Sequence, residues 1–208
     1  MLPKRIIAIG ASSVFGRIDP SGGGFIGRLK AWHEMQEPNY NAVFNLGISG
    51  DNTNGMLTRL IPEAKVRNPD LIIFSLGSND ASRKGSVHSS NNTSINDFKN
   101  NVVGLIKKGK SISKDKNLVF VSAYPINDVL TMPLMQTSSY YLMKDLIVYT
   151  GETEAICKDN NVPYLNIFDM FIKEDYKKLL YEDGLHCNTL GHKKIFNELK
   201  RFLLDLYK

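Results

Sequence analysis

A chain of 208 residues, 42% hydrophobic, is long enough to bury one sizeable core, and residues 1–208 are expected to form one domain. No apolar run approaches the roughly 20 residues of a membrane span, and Ile6-Ile7-Ala8-Ile9 is shorter than the roughly 7–15 residues of a signal h-region, so neither membrane insertion nor secretion is expected. The net charge of +5 is densest at Lys107-Lys108-Gly109-Lys110, where no aromatic residues interleave; this speaks against nucleic acid and for a solvated helix end.

Residues 5–9 predict the first strand, and Gly10-Ala11-Ser12-Ser13 is a turn at its carboxyl end. Residues 27–35 predict a helix, with Ile26, Leu29 and Trp32 at helical spacing. Residues 40–46 predict the second strand. Residues 54–66 predict a helix with Met56, Leu57, Leu60, Ile61 and Ala64 on one face, and Pro62 inside it predicts a kink or an early stop. Leu71-Ile72-Ile73-Phe74-Ser75-Leu76 is nearly all apolar, as a central parallel strand covered on both faces should be. The Ser-, Asn- and Lys-rich stretch 81–92 predicts a long, partly mobile surface loop. A helix over 95–106, a strand over 118–123 and a second long loop over 124–137 follow. Residues 140–160 predict the longest helix, 162–167 a short fifth strand opened by Pro163, and 168–180 short helical turns. A loop over 181–188 leads to a closing helix over 189–206. Five strands alternating with helices predict an α/β fold: a parallel sheet with helices on both faces and a site at the carboxyl ends of the strands. That rule brings 10–12, 47–51 and 77–80 to one edge.

Cys157 and Cys187 make no disulfide framework and fit a reducing cytoplasm; metal-ligand spacings are absent, so neither a metal nor a cofactor is expected. A serine behind a strand and a glycine bend is where α/β enzymes expose a nucleophile, which singles out Ser12. A serine hydroxyl needs a base, and an imidazole needs an acid to fix its tautomer. Asp183-Gly184-Leu185-His186 supplies both within one glycine-containing turn. His33, His88 and His192 have no acid at such spacing in a glycine-containing turn. The N–H groups of Ser12 and Gly50 and the Asn79 amide are donors for an oxyanion. Asp51 and Asp80 are expected to hold loops, and Phe15 stands near enough to the Ser12 turn to line a pocket.

Four segments in order, Gly10-Ala11-Ser12-Ser13, Ile48-Ser49-Gly50-Asp51, Gly77-Ser78-Asn79-Asp80 and Asp183-Gly184-Leu185-His186, resemble the blocks of the SGNH hydrolases, the GDSL-type esterases and lipases. The name-giving Ser, Gly, Asn and His fall on Ser12, Gly50, Asn79 and His186, and the family's Asp-x-x-His pair on Asp183 and His186. The resemblance implies a three-layer α/β/α, flavodoxin-like fold with a five-stranded parallel sheet. It also implies a metal-free mechanism with Ser12, His186 and Asp183 as triad and with Ser12, Gly50 and Asn79 as oxyanion hole. Ala11 departs from the usual aspartate, which implies altered hydrogen bonding of the nucleophile turn. Cys187 stands where proline is common, which implies a less rigid loop. The expected activity is that of a cytoplasmic serine esterase on small O-acyl esters, acetylated sugars and lysophospholipids among them, with oligomeric state left open. The same site would also serve an acyltransferase. The rival, a non-enzymatic flavodoxin-like binding module, lacks both the Gly-x-x-x-x-Gly-Lys and the Gly-x-Gly-x-x-Gly signatures. The two loops 81–92 and 124–137 are expected to shape the substrate pockets.

Overall fold

Successive side chains of a strand face opposite layers, so a strand that is apolar throughout has to be covered on both sides. β1 (Arg5–Gly10) is such a strand, with Ile6, Ile7, Ala8 and Ile9 fully buried. The structure, a computed structural model, describes residues 2–135 and 137–208. After β1 come α1 (Ser12–Phe15), α2 (Gly24–Glu34), β2 (Ala42–Gly47) and α3 (Thr53–Ala64), which runs into a 3₁₀ turn. Next are β3 (Leu71–Ser75), α4 (Ser78–Ala81), β4 (Arg83–Lys84), α5 (Ile95–Ile112) and β5 (Leu118–Val121). The chain closes with β6 (Ser139–Tyr140), α6 (Met143–Asp159), β7 (Tyr164–Leu165), α7 (Ile167–Ile172) and α8 (Thr189–Leu206).

Strands β2, β1, β3, β5 and β7 pair in that order, all parallel, with Ile7 in register with Phe44 on one side and Ile72 on the other. Ile7, Ile9, Phe74 and Phe120 face α3, α5 and α6 and meet Leu60, Leu105 and Ile156. Ile6, Ala8, Ile73 and Val119 face the other way and meet Leu29 of α2, Phe171 of α7 and Leu199 of α8. Full burial of one such side chain stabilises by roughly 1.5–3 kcal/mol, and two cores of this kind clamp the sheet from both faces. The result is a three-layer α/β/α fold with a five-stranded parallel sheet. The chain steps from β1 to β2 on one side and returns to β3 on the other. The carboxyl ends of β1 and β3 therefore flank a crevice, the usual site in a doubly wound sheet.

Several local expectations give way. Helix α3 continues through Pro62 to Ala64. The amide that proline lacks would have met the carbonyl of Thr58, and both residues are exposed, so that carbonyl is open to water. Helix α5 extends to Ile112. Its lysines are not simply solvated: Lys108 donates to the Leu57 carbonyl (2.8 Å) and Lys110 to that of Asn160 (3.0 Å). The stretch 81–92 is held by Arg83. Its guanidinium bonds Asp145 through Nε (2.7 Å) and Nη2 (2.9 Å) and reaches the carbonyls of Val87 (3.1 Å) and Ser89 (2.9 Å). Arg83 also pairs with Tyr140 in the antiparallel β4–β6 ribbon, so α6 starts at Met143 rather than at 140.

Candidate active site

Gly10 lets β1 end hard against its neighbours, since a Cβ there would collide with the Ser75 carbonyl and the Val14 side chain. Helix α1 begins two residues later with Ser12. Ala11 is its N-cap, at φ −97° and ψ −146°, and supplies no side-chain cap. The Ser12 N–H, the first of the helix, has no acceptor among the described residues. The turn is held from its other side. The Gly10 carbonyl accepts from Ile48 N (3.0 Å) and Arg59 Nη2 (3.1 Å), and Asn45 Nδ2 donates to the Val14 carbonyl (2.7 Å).

Asp183 to His186 form one tight turn, with Gly184 at φ +71°, a conformation that costs glycine little. Asp183 Oδ1 accepts from the N–H groups of Leu185 and His186, both at 2.9 Å. Oδ2 lies 2.6 Å from His186 Nδ1. A carboxylate oxygen only accepts, so the imidazole proton sits on Nδ1 and Nε2 is free to accept. Nε2 lies 3.0 Å from Ser12 Oγ, and the hydroxyl donates to it. Burial by itself would raise the Asp183 carboxyl. The hydrogen bonds from the His186 ring and from the two backbone amides outweigh it, and the group is held below its ordinary value.

The loop after His186 is anchored where a loosening at Cys187 is expected. Cys187 is fully buried, its N–H donates to Tyr124 Oη (3.3 Å), and Tyr181 N donates to the His186 carbonyl (2.7 Å). Cysteine fills the core there, which fixes the loop by packing instead of by a proline ring. Burial also pushes its thiol up, which disfavours the thiolate.

The opposite wall comes from the ends of β2 and β3. Asn79 Nδ2 donates to the Asp51 carbonyl (2.8 Å), and Asn79 Oδ1 accepts from Tyr141 Oη (3.0 Å). The Gly50 N–H has no acceptor among the described residues. Asp51 Oδ2 is paired with Arg59 Nε at 2.7 Å. Asp80, wholly buried, accepts from Thr53 N (3.0 Å) and Thr53 Oγ1 (2.6 Å). Burial raises its carboxyl above the ordinary value, against the pull of those bonds. Both carboxylates are engaged in holding loops, Asp51 by Arg59 and Asp80 by Thr53, although Asp51 also lines the cavity.

A cavity at this edge is lined by Ser12, Asn79 and His186 together with Gly77, Ala123, Tyr124 and Leu185. Gly50 is outside the lining, next to Asp51, which is in it. Phe15 is 58% exposed and does not line it. Among the described residues, the stretch 81–92 contributes nothing to the lining and 124–137 only Tyr124; Arg83 ties the first loop to Asp145 of α6. The other histidines are elsewhere. His33 Nε2 lies 3.2 Å from the Lys4 carbonyl, His88 is exposed, and His192 is buried between Phe25 N (3.3 Å) and the Arg17 carbonyl (3.1 Å). Tyr124 and Tyr141 escaped the sequence reading. Their partners lie 62 or 63 positions away, and no local pattern marks such contacts. Among the described residues no group of three or more His, Cys, Asp or Glu side chains is placed to hold a metal, and no helix is long and apolar enough to cross a membrane.

This sheet, with a serine, a histidine and an aspartate in hydrogen-bonded series at its carboxyl edge, defines the class of SGNH-type α/β/α proteins. The sequence profile described as GDSL-like Lipase/Acylhydrolase matches residues 6–199, and the chain belongs to that family. Among curated proteins, the GDSL esterase/lipase CPRD49 of Arabidopsis thaliana is 22% identical over 157 residues, which cover 72% of this chain and 60% of that protein. The chain thus spans about three-fifths of the length of the curated relatives it matches. Among solved structures, the lipase/acylhydrolase from Enterococcus faecalis superposes with a TM-score of 0.76 at 19% identity, over 99% of this chain and 97% of that one. Axe2, an acetylxylan esterase from Geobacillus stearothermophilus, superposes with a TM-score of 0.73 at 17% identity, over 96% and 94%. Both share the fold.

Proposed function

We propose that residues 1–208 act as one serine esterase domain, with Ser12 as nucleophile, His186 as base and Asp183 as its orienting acid. The observation that carries this reading is the unbroken series Asp183 Oδ2–His186 Nδ1 (2.6 Å) and His186 Nε2–Ser12 Oγ (3.0 Å), opening onto a cavity. Ser12 Oγ attacks the ester carbonyl carbon while its proton passes to His186 Nε2. The C=O electrons move to the oxygen, which is held by the N–H groups of Ser12 and Gly50 and by Asn79 Nδ2. The tetrahedral species collapses, the C–O bond to the alcohol breaks, and His186 returns the proton to the departing oxygen. Water, deprotonated by the same nitrogen, then attacks the acyl carbon; the bond from that carbon to Ser12 Oγ breaks, His186 passes the proton to Oγ, and the acid leaves.

The substrate in this reading is a small O-acyl ester. Many of the residues lining the cavity are small, Ala11, Ser13, Ser75, Gly77, Ser78 and Ala123, with Leu76, Tyr124 and Leu185 as its larger apolar lining. An acetylxylan esterase among the fold neighbours is in keeping with an acetyl group. Two buried free thiols, Cys157 and Cys187, support a cytoplasmic setting; activity recovered mainly outside the cytoplasmic fraction of source cells would overturn that.

A fluorophosphonate followed by intact-mass measurement tests the nucleophile without requiring the right substrate. One adduct is expected on the wild type and none on Ser12→Ala; folded wild type without an adduct would overturn the reading. On p-nitrophenyl esters, kcat/KM is expected to drop at least about tenfold from acetate to octanoate. A flat or rising profile would instead point to a long-chain substrate.

A further inference from the structure

The Asn79 amide fits its surroundings either way round sterically, but only one orientation offers N–H to an anion. The backbone carbonyl of Asp51 can only accept, so Nδ2 must face it. Oδ1 then faces Tyr141 Oη, which must donate. Burial pushes the Tyr141 phenol above its ordinary value, which keeps that proton in place. Tyr141 is itself gripped. Its N–H donates to the Thr131 carbonyl (2.9 Å), and the hydroxyl of the fully buried Thr131 donates to the Tyr141 carbonyl (2.7 Å). The residue before it pairs with Arg83, whose guanidinium is fastened to Asp145. The ring packs on the cluster of Ala123, Ile126, Leu146 and Leu185. Tyr141 does not line the cavity, so whatever it contributes passes through Asn79.

We propose that Tyr141 is a positioning residue, whose hydroxyl locks the Asn79 amide with one Nδ2 hydrogen on Asp51 and the other directed at the oxyanion. This deepens the esterase reading and rests on Asn79 as an oxyanion donor. One Nδ2 hydrogen is held by Asp51, and the terminal torsion of asparagine is otherwise broad and roughly two-fold. Without Tyr141 Oη, Oδ1 loses its donor and the amide samples orientations in which no N–H faces the oxyanion. The interaction is made through the developing anion, so the loss falls on kcat rather than on KM.

The test is a double-mutant cycle on p-nitrophenyl acetate with wild type, Tyr141→Phe, Asn79→Ala and the pair. Tyr141→Phe removes one oxygen and keeps the packed ring. It is expected to lower kcat about five- to tenfold with KM within about twofold. Asn79→Ala is expected to lower kcat about a hundredfold or more. In the Asn79→Ala background, Tyr141→Phe should change kcat by less than about twofold. Two results would overturn the proposal: wild-type kcat in Tyr141→Phe, or an equal loss in both backgrounds, as a general weakening of the fold would give. Wild-type kcat in Asn79→Ala would remove the oxyanion role itself, and the proposal with it. That failure is told apart by the single variant alone.

Discussion

At Asp183 the two carboxylate oxygens have different duties. Oδ1 takes two backbone N–H groups and Oδ2 takes the imidazole. Replacing Asp183 by asparagine forces a choice. With its oxygen kept on the two amides, the new NH2 faces His186 Nδ1. The ring must then carry its proton on Nε2, where it points at Ser12 and can accept nothing. Asp183→Asn is therefore expected to lower kcat about a thousandfold or more while the thermal midpoint stays within a few degrees. Steady-state kinetics beside a thermal melt would check it, and a loss of less than about tenfold would remove the orienting role. The residue scale is also where the sequence was most legible. Ser12, Asp183 and His186, the triad proposed above, could be singled out because the residue types such a site needs are few and stand here in short turns. Tyr141 was not, because a tyrosine in a loop carries no mark of what its hydroxyl meets.

Helix α3 starts on a buried strut between two walls of the site. Thr53 opens the helix, is fully buried, and gives both its N–H and its hydroxyl to Asp80 of α4. Its oxygen also accepts from Asn101 Nδ2 of α5 at 2.9 Å. Thr53→Val keeps the shape but strands one donor on Asn101 and takes one bond from a buried carboxylate. A loss of about 1–3 kcal/mol is expected by urea unfolding. Unchanged stability would mean that the carboxylate and amide find other partners. Elements with strong periodicity, α3 and α8 above all, were readable from the sequence to within a few residues. Short elements were not. Helix α1 and the ribbon β4–β6 have too few residues to show a period, and β7 shrinks to two residues because only Tyr164 and Leu165 pair with β5.

Across the whole molecule, His192 ties three segments together: α8 that bears it, Phe25 of α2 through Nδ1, and Arg17 behind α1 through Nε2. An Nδ1 that accepts and an Nε2 that donates describe a neutral ring. Burial lowers the tendency of His192 to take up a proton, ahead of the opposing bond to Arg17. A base depressed in the folded state binds fewer protons there than in the unfolded chain. The stability it contributes is thus present above the unfolded value of about 6.5 and is lost as pH falls below it, towards the lowered folded value. Unfolding free energy is expected to decrease between pH 7.5 and 5.5, and that decrease should shrink in His192→Gln. Equal decreases in both proteins would assign the effect to other groups. The class of fold, the family, and the four segments of the proposed site could be read from neighbouring residues alone. Apolar runs of period 2 or 3.6 and the residue types of a nucleophile turn are local properties, written over a few neighbouring positions. Three contacts exist only in the folded chain: His186 with Ser12 across 174 positions, Arg83 of the stretch 81–92 with Asp145 of α6, and Tyr141 with Asn79. Those contacts depend on how far two layers of helices turn each segment over the sheet, a distance that no stretch of sequence contains.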